Sequence, residues 1–286
     1  MIHGKRGAGL RAMHDDGIQV WRDAIESLIR ERGLKVVDRA AVFRETLSTQ
    51  DAARGLAGGR PGLVVLAGRQ SGGRGRLGRS WADTSSMGVA ATFVVEMRAE
   101  AAGRLSAVGG VAACLAVEAG LERSAGGGES AAARVGLRWP NDVVERSGDG
   151  EGSGGGRKIA GVLIESGDGV ALVGIGINVG QDENDWPDEL RGRAASLRQL
   201  GSAASRLEVI LALIERFDCV MAMSDAQVER WWSEREVLLG SVRTFEHNGV
   251  RHTGVVEAIG VSIGVVLGTP AGRVELPALT TSLVHE

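Results

Sequence analysis

The sequence predicts an α+β fold, in which a mixed β-sheet with flanking helices is followed by a small β-barrel. Strand and helix patterns interleave over residues 15–238 without the strict alternation that a parallel sheet requires. Over residues 239–286, short strand patterns are separated by glycines and no helical pattern follows. The 286 residues, 43% of them hydrophobic, are enough for one large domain with an appendage. Residues 1–14 are expected to be a flexible, slightly basic tail.

Four helices are predicted from apolar residues that recur at helical spacing. Gly33 follows two arginines and gives the first helix its stop signal, and the second helix is expected to be amphipathic. Ser205 and Glu208 have the spacing of a capping box, which opens the third helix. The predicted helices run from Asp15 to Gly33, from Leu105 to Leu121, from Ser205 through Phe217, and through Trp231 and Trp232 toward Gly240.

Six strands are predicted before residue 180 from short apolar or alternating runs between glycines and prolines. The last two are joined by the turn Ser166–Gly169, which is typical of a hairpin. The predicted strands are Leu34–Phe43, Leu63–Leu66, Gly88–Met97, Arg134–Trp139, Lys158–Glu165 and Val170–Val179.

Composition excludes several classes of protein. The net charge of −3 gives no strong field that would attract nucleic acid or an anionic membrane. The absence of tyrosine removes any mechanism that needs a phenol. No apolar run is expected to approach the ~20 residues of a membrane helix, and the N-terminus lacks the apolar core of a secretory signal. Cys114 and Cys219 are expected to be buried free thiols in a reducing compartment, so the predicted location is the cytoplasm.

Two patterns resemble known motifs but lack the context that those motifs need. Residues 73–78 match the dinucleotide pattern G-x-G-x-x-G, yet no helical pattern follows until Leu105. Residues 260–264 match the hydrolase pattern G-x-S-x-G, yet another strand pattern follows instead of a helix. We therefore predict neither a dinucleotide-binding domain nor a serine hydrolase.

The segment Gln70–Trp81 alternates arginine with glycine and has no compensating carboxylate before Asp83. Such a segment is expected to stay open until an anion orders it. Arginine suits this role because its planar fork binds carboxylate and phosphate oxygens in pairs. RNA-binding arginine–glycine tracts are longer and lack a folded strand on either side, so the segment favours a small anion.

Three further segments place polar side chains beside strands. Pro140 makes the turn at Asn141 and Asp142 rigid on one side, and Lys158 lies just outside an apolar strand. Asn178 interrupts another apolar strand and needs partners from a ligand or a neighbouring turn. This set contains no nucleophile paired with a histidine. It fits electrostatic stabilisation of phosphates better than covalent catalysis.

These segments, taken in order, resemble the motifs of biotin–protein ligases. Residues 73–81 resemble the biotin loop G-R-G-R-x-G-R-x-W, and residues 139–142 the element W-P-N-D. Residues 157–163 and 174–179 resemble the strands R-K-x-x-G-[IV]-L and G-[IV]-G-x-N-V. Residues 45–50 resemble the family's E-x-x-S-T-N signal.

The resemblance implies a catalytic domain related to class II aminoacyl-tRNA synthetases over residues 15–238 and an SH3-like domain over residues 239–286. It implies that biotin and ATP form biotinyl-5′-AMP with Mg²⁺ assistance, and that a lysine of a biotin carboxyl carrier domain then receives the biotin. No certain metal ligand is implied, since the phosphates hold Mg²⁺, with Asp142 the one candidate. The implied small molecules are biotin and ATP, and the implied assembly is a monomer or a homodimer.

The resemblance also assigns roles to residues. It assigns catalysis to Lys158, Arg74, Arg76 and Asp142. It assigns biotin binding to Ser48, Thr49, Gln70, Gly73, Arg74, Arg76, Lys158 and Gly161. It assigns ATP binding to Arg79, Trp81, Asn141 and Asn178.

The sequence departs from the family pattern at Arg138 and Gln50, where lysine and asparagine are usual, and in a glycine-rich insertion over residues 147–156. Two other functions compete with biotin ligation. The residues before Ser48 leave little room for the winged helix with which some members repress transcription, so no DNA partner is expected. A lipoate ligase has a related fold, but the arginine–glycine loop and W-P-N-D are typical of the biotin enzymes.

Overall fold

The computed structural model describes most of the chain. The predicted tail, the glycine-rich segment at residues 124–130 and residues 147–155 lie outside the described residues. The described residues are 15–82, 86–97, 101–122, 134–146, 156–260, 264–278 and 280–284.

Seven strands form one sheet in the order β1-β2-β3-β7-β6-β5-β4. Strands β1 and β2 are parallel, and all other neighbours are antiparallel. The predicted mixed sheet is therefore confirmed. The strands are β1 (Arg39–Thr46), β2 (Leu63–Gln70), β3 (Val89–Glu96), β4 (Val135–Arg138), β5 (Asp142–Glu145), β6 (Lys158–Gly167) and β7 (Val170–Ile177).

Helices cover both faces of this sheet. Leu172 packs in a cluster with α2, whereas the next residue, Val173, lies beside Gly109 of α3, and successive strand residues point to opposite faces. The larger core lies on the α3 side, where Phe93 of β3 stacks on Phe217 with ring centroids 3.9 Å apart. The helices are α1 (Asp15–Arg32), α2 (Thr49–Ala57), α3 (Ala101–Glu122), α4 (Arg206–Met221) and α5 (Asp225–Ser233).

Helix α3 was predicted to be amphipathic, but it is buried on nearly all sides. It lies between the sheet and helices α4 and α5. Its stretch Gly103–Glu122 has a mean hydropathy of 1.5 and is long and apolar enough to cross a membrane. The expectation that no apolar run approaches this length is therefore wrong. Inside the protein, 78% of this stretch is buried, as in the core helix of a globular protein.

Local signals located several boundaries. Gly33 has a left-handed φ of 58° after α1, and Ser205 and Glu208 form the predicted capping box. Asp168 and Gly169, with φ of 52° and 77°, make the predicted hairpin turn between β6 and β7. These three predictions are confirmed.

Other predictions were wrong. The segment predicted as a strand from Leu34 enters the sheet only at Arg39, because the N–H groups of Lys35 and Val36 donate to Asp218 at 2.8 and 2.6 Å. Helix α2 and strand β5 were missed. Both cysteines are free thiols as predicted, but Cys219 is exposed and only Cys114 is buried.

The C-terminal strands form a separate five-stranded antiparallel sheet in the order β11-β10-β9-β8-β12, which confirms the predicted small β domain. The Phe245 ring of this sheet meets Trp139 of the main domain edge-on, with centroids 5.6 Å apart. The strands are β8 (Val242–His247), β9 (Val250–Gly260), β10 (Gly264–Thr269), β11 (Gly272–Leu276) and β12 (Thr281–Leu283).

A buried carboxyl group, Glu236, lies in the segment between the two sheets. This segment pairs with Leu137 of β4. Oε2 of Glu236 accepts from the N–H groups of Leu238 and Leu239 at 2.7 and 2.8 Å, while Oε1 is buried with no hydrogen-bond partner in the described part of the chain. Burial raises the pKa of Glu236 from 4.5 to about 7, although the N–H donors oppose this shift.

We expect Glu236→Gln to flatten the dependence of stability on pH. The folded protein keeps this proton up to about pH 7, whereas the unfolded chain loses it near 4.5, so stability falls as pH rises between these values. Glutamine keeps an acceptor for the two N–H groups and cannot ionise. The loss of unfolding free energy from about pH 5 to about pH 8, measured in urea, should shrink by about 3 kcal/mol.

The control is Glu234→Gln, which removes a neighbouring exposed carboxylate. An unchanged pH dependence in the Glu236 variant would contradict the assignment.

Candidate active site

A cavity of about 1020 Å³ opens on the face of the sheet that carries α2. A row of residues in register across five strands, β3, β7, β6, β5 and β4, crosses its floor. Residues in register on adjacent strands point to the same face, so this row is continuous. The row consists of Ala90, Gly176, Gly161, Asp142 and Arg138.

A buried, uncharged polar pocket lies beside this row. Thr49 donates to Oε1 of Gln70 from its backbone N and its Oγ1, at 2.9 and 3.1 Å, and accepts from Thr92 at 2.9 Å. Ser48 caps α2 by accepting from the N–H of Gln50. The start of α2 thus places hydroxyl and amide groups at the cavity wall.

Gln50 contributes a buried acceptor to this pocket. Its Nε2 donates to the carbonyl of Leu163 at 3.1 Å, whereas its Oε1 is buried and meets no partner among the residues that the structure describes. A Cβ at Gly174 would lie 2.6 Å from Nε2, so this glycine makes room for the amide. An unpartnered buried acceptor at a cavity suits a ligand that donates a hydrogen bond.

The carboxylate of Asp142 lies between two cations on the cavity floor. Lys158 Nζ is 2.5 Å from one oxygen, and Arg138 Nη2 is 3.2 Å from the other. Burial raises the pKa of Asp142, but attraction to Lys158 and Arg138 outweighs it, so the pKa lies below its usual value. Asp142 is therefore ionised at neutral pH, and the cluster carries a net positive charge.

The indole of Trp81 lies on the two glycines of the floor. A Cβ at Gly176 would be 2.5 Å from the ring, and a Cβ at Gly161 would be 3.2 Å from it. Lys158 Nζ is 5.6 Å from the ring centroid, within the range of a cation–π contact. Only glycine at both positions lets the ring approach the sheet this closely.

Residues 73–81 fold back on themselves above the floor. The N–H of Gly75 donates to Arg79 at 2.7 Å, and the N–H of Trp81 donates to Gly73 at 2.9 Å. The segment itself has no carboxylate before Asp83, so its compensating charges come from elsewhere in the chain. Two carboxylates distant in sequence, Asp51 and Glu165, contact Arg74.

Arg76 reaches in the opposite direction, to the C-terminal sheet. Its Nη2 donates to the carbonyls of Ala278 and Thr281, the latter at 3.2 Å. Burial lowers the pKa of Arg76, with attraction to Asp142 opposing. The loop therefore spans the two domains.

Residues 42–182 match the biotin/lipoate A/B protein ligase family. The biotin–[acetyl-CoA-carboxylase] ligase of Paracoccus denitrificans is 32% identical over 251 residues, which are 83% of this chain and 97% of that protein. The chain belongs to this family. The resemblance to biotin–protein ligases seen in the sequence is confirmed.

Two further relatives define the extent of the likeness. The bifunctional ligase/repressor BirA of Bacillus subtilis (strain 168) is 32% identical over 199 residues, covering 65% of this chain and 55% of BirA. The chain thus matches only about half the length of this relative. The biotin protein ligase from Aquifex aeolicus, solved in complex with biotin and ATP, is 25% identical with a TM-score of 0.67, covering 87% of this chain and 100% of that one.

The structure brings nearly all of the residues predicted from the ligase family to this one cavity. The exception is Gly73, which lies behind the lining, where a Cβ would be 2.5 Å from Gln70 Nε2. The predicted residues that line the cavity are Ser48, Thr49, Gln70, Arg74, Arg76, Arg79, Trp81, Asn141, Asp142, Lys158, Gly161 and Asn178.

Both asparagines of the ligase motifs brace strands. Asn141 Nδ2 donates to Val162 at 2.7 Å, and Asn178 Nδ2 donates to the carbonyls of Lys158 and Ala195 at 3.2 and 3.0 Å. Asn178 lies just after β7 and not inside a strand, and Asp142 begins β5 and does not lie in the turn. Both placements correct the sequence analysis.

Other lining residues escaped the sequence analysis. Arg193 lies at the cavity because its carbonyl accepts from the N–H of Lys158 at 2.8 Å, a contact that no motif marks. Ser282, Leu283 and Val284 line it from the C-terminal domain. Asp51 does not line the cavity but contacts Arg74, and the one clue to it in the sequence is that it follows directly on the E-x-x-S-T-N signal.

The Mg²⁺ that the family resemblance implies meets no cluster of protein ligands in the described part of the chain. Among the described residues, no three histidine, cysteine or acidic side chains group together as metal ligands. Both oxygens of Asp142, the one candidate, face cations, which would repel a divalent metal. These residues do not fit a resident metal.

We expect Gly176→Ala to displace Trp81 from the floor. The new methyl group would lie 2.5 Å from the ring, and a loop side chain shifts more easily than the sheet. Loss of this contact should expose the loop to trypsin at Arg76 and Arg79, measured as the rate of limited cleavage without ligand.

The matched control is Gly55→Ala on α2, where a Cβ meets nothing within 4 Å. Equal cleavage rates in the two variants would show that Trp81 does not hold the loop.

Proposed function

We propose that the protein activates biotin with ATP and transfers it to a lysine of a biotin carboxyl carrier domain. The supporting observation is that one cavity of about 1020 Å³ joins an uncharged polar pocket to the cations Arg76 and Lys158. This volume suits a large ligand of two parts. Biotinyl-5′-AMP has a neutral, hydrogen-bonding ureido ring at one end and a phosphate near its centre.

In the first step, a carboxylate oxygen of biotin attacks the α-phosphorus of ATP. The bond from that phosphorus to the bridging oxygen of the β-phosphate breaks, and pyrophosphate leaves with the electron pair. Ser48, Thr49, Gln70 and the free acceptor of Gln50 suit the ureido group. Lys158 and Arg76 suit the charge on the carboxylate and the phosphoryl oxygens, and fixed cations in a partly buried site stabilise such charge strongly.

In the second step, the lysine amine attacks the acyl carbon of biotinyl-5′-AMP. The bond from this carbon to the phosphate oxygen breaks, AMP leaves, and the amine loses a proton. Asp142 is ionised and can accept a hydrogen bond from the incoming amine once Lys158 turns from it to the phosphate. Its low pKa makes it a group that orients the amine and a weak base.

The remaining features of the proposal concern partners and location. The acceptor is a carrier domain of a biotin-dependent carboxylase, and Mg²⁺ enters with ATP through its phosphates. The assembly is a monomer or a homodimer, with no DNA partner. Free thiols at Cys114 and Cys219 suit the cytoplasm.

The experiment that tests the function compares biotin with lipoate. Pyrophosphate release from ATP should require biotin, and a purified carrier domain should then gain the mass of one biotin. Release that lipoate supports equally well, or a carrier domain that stays unmodified, would overturn the proposal. A gel-shift titration across salt tests for DNA, since phosphate contacts make binding strongly salt-dependent.

We expect Lys158→Ala to abolish most adenylate formation. Removing one donor that stabilises transition-state charge costs about a hundredfold or more in rate. The measurement is single-turnover pyrophosphate release at saturating biotin. Lys35→Ala, at an exposed lysine whose side chain has no hydrogen bond among the described contacts, is the control, and near-normal release by Lys158→Ala would remove Lys158 from the reaction.

A further inference from the structure

The Arg74 side chain is held by carboxylates from two different elements. Its Nε and Nη2 donate to Glu165 of β6 at 2.9 and 3.0 Å, and its Nη1 and Nη2 donate to Asp51 of α2 at 2.8 Å each. Four of the five N–H groups of the guanidinium are therefore used. Arg54 also donates to Glu165, at 3.0 Å, so two arginines and two carboxylates form one neutral network.

This network differs from an ordinary surface ion pair. Single exposed pairs contribute little to stability, but bidentate pairs within a network are the exception. The hydrogen bonds that Arg74 donates to Asp51 and Glu165 raise the pKa of Arg74, and Arg74 in turn lowers the pKa of Asp51. The Arg74 guanidinium is thus bound by two protein carboxylates, although the Arg74 side chain is 38% exposed.

An anionic ligand would gain little by taking Arg74 from these partners. Moving the guanidinium to a ligand carboxylate would leave Asp51 and Glu165 without this partner, close to the added negative charge. Lys158 and Arg76 differ from Arg74 in this respect. Arg138 remains beside Asp142 when Lys158 turns to a ligand. Arg76 donates to neutral groups, the carbonyls of Ala278 and Thr281 and the side-chain amide of Asn141.

The loop over residues 73–81 is attached at three points. Arg74 ties its start to α2 and β6, Arg76 ties its middle to the C-terminal sheet, and Trp81 rests on the floor. Loss of the Arg74 attachment alone would loosen the loop and leave Arg76 and Lys158 in place for the ligand.

We propose that the Arg74 side chain fixes the loop over the cavity and does not bind the ligand. Asp51 and Glu165 are the positioning residues that hold Arg74. The anionic groups of the ligand are bound by Arg76 and Lys158. This inference rests on the proposed function for the identity of the ligand. It gives Arg74 a different role from the anion contact that the family resemblance implies.

The first test needs no ligand and uses Asp51→Asn and Glu165→Gln. Each variant removes a charge that holds Arg74 and leaves the trypsin sites of the loop unchanged. Limited trypsin cleavage at Arg76 and Arg79 should be faster in both variants than in the native protein. Glu257→Gln, which neutralises a carboxylate paired with Arg273 at 2.9 Å in the C-terminal sheet, is the matched control.

The second test measures how long biotinyl-5′-AMP stays bound. Each variant should release it about tenfold faster, the effect of losing one charge-assisted hydrogen bond. The Kd of biotin alone should change less than twofold. Arg74→Met should release the adenylate as fast as the double variant Arg74→Met/Asp51→Asn, because Asp51 acts through Arg74.

Two results would overturn the proposal. Tighter biotin binding by Asp51→Asn or Glu165→Gln would mean that these carboxylates compete with the ligand for Arg74, which is then an anion-binding residue. Unchanged trypsin cleavage in both variants, with unfolding midpoints like that of the control, would mean that the network does not hold the loop. If the native protein made no adenylate, the proposed function would fail. Trypsin cleavage alone would then decide whether Arg74 fixes the loop.

Discussion

Two cations from neighbouring strands keep the carboxylate of Asp142 ionised inside the protein, and the site face of the sheet depends on this interaction. A buried carboxylate that loses its partners is strongly unfavourable. Lys158 begins β6 and Arg138 ends β4, so the charges meet only in one register of β4, β5 and β6. A slip of one residue would turn every side chain of a strand to the other face. The register of β6 on β7 places Gly161 beside Gly176, and these two glycines leave room for the Trp81 ring on the floor.

In the loop above this floor, the contacts of each arginine depend on which parts of the fold lie beside it, and not on the loop sequence alone. Arg74 and Arg76 are two residues apart, yet one meets carboxylates and the other meets main-chain carbonyls. The carboxylates come from α2 and β6, and the carbonyls come from the C-terminal domain. One short segment thus contacts three separate parts of the fold, which is why its shape differs from that of an isolated arginine–glycine tract.

The mixed sheet, four of the five helices and most of the site could be predicted from the sequence, because they depend on local patterns. The capping box at Ser205 and the turn at Asp168 and Gly169 involve residues adjacent in the chain. The position of Asn178 was found from one polar residue in an apolar run. The motifs of the family identified residues that the structure then places around one cavity.

The rest depended on contacts that no local pattern records. Lys35 and Val36 leave the strand pattern because Asp218 lies 183 and 182 residues away in sequence and beside them in space. Helix α3 is apolar on nearly all sides because the sheet covers one side and helices α4 and α5 cover the other. Helical periodicity in a sequence indicates one buried face and does not reveal a second covering layer. Asp51 and Glu165 look like ordinary surface acids in the sequence, since their partner becomes visible only when α2, β6 and the loop are brought together.

The hydrogen bonds from Arg76 to Ala278 and Thr281 make the C-terminal sheet a thermodynamic partner of the cavity. A ligand that draws Arg76 inward must break these bonds, so filling the cavity and docking the terminal sheet are linked equilibria. Such linkage is reciprocal, and each event shifts the other by the same factor. Any contact that held the terminal sheet in place would therefore change the affinity of the cavity for its ligand without touching the ligand.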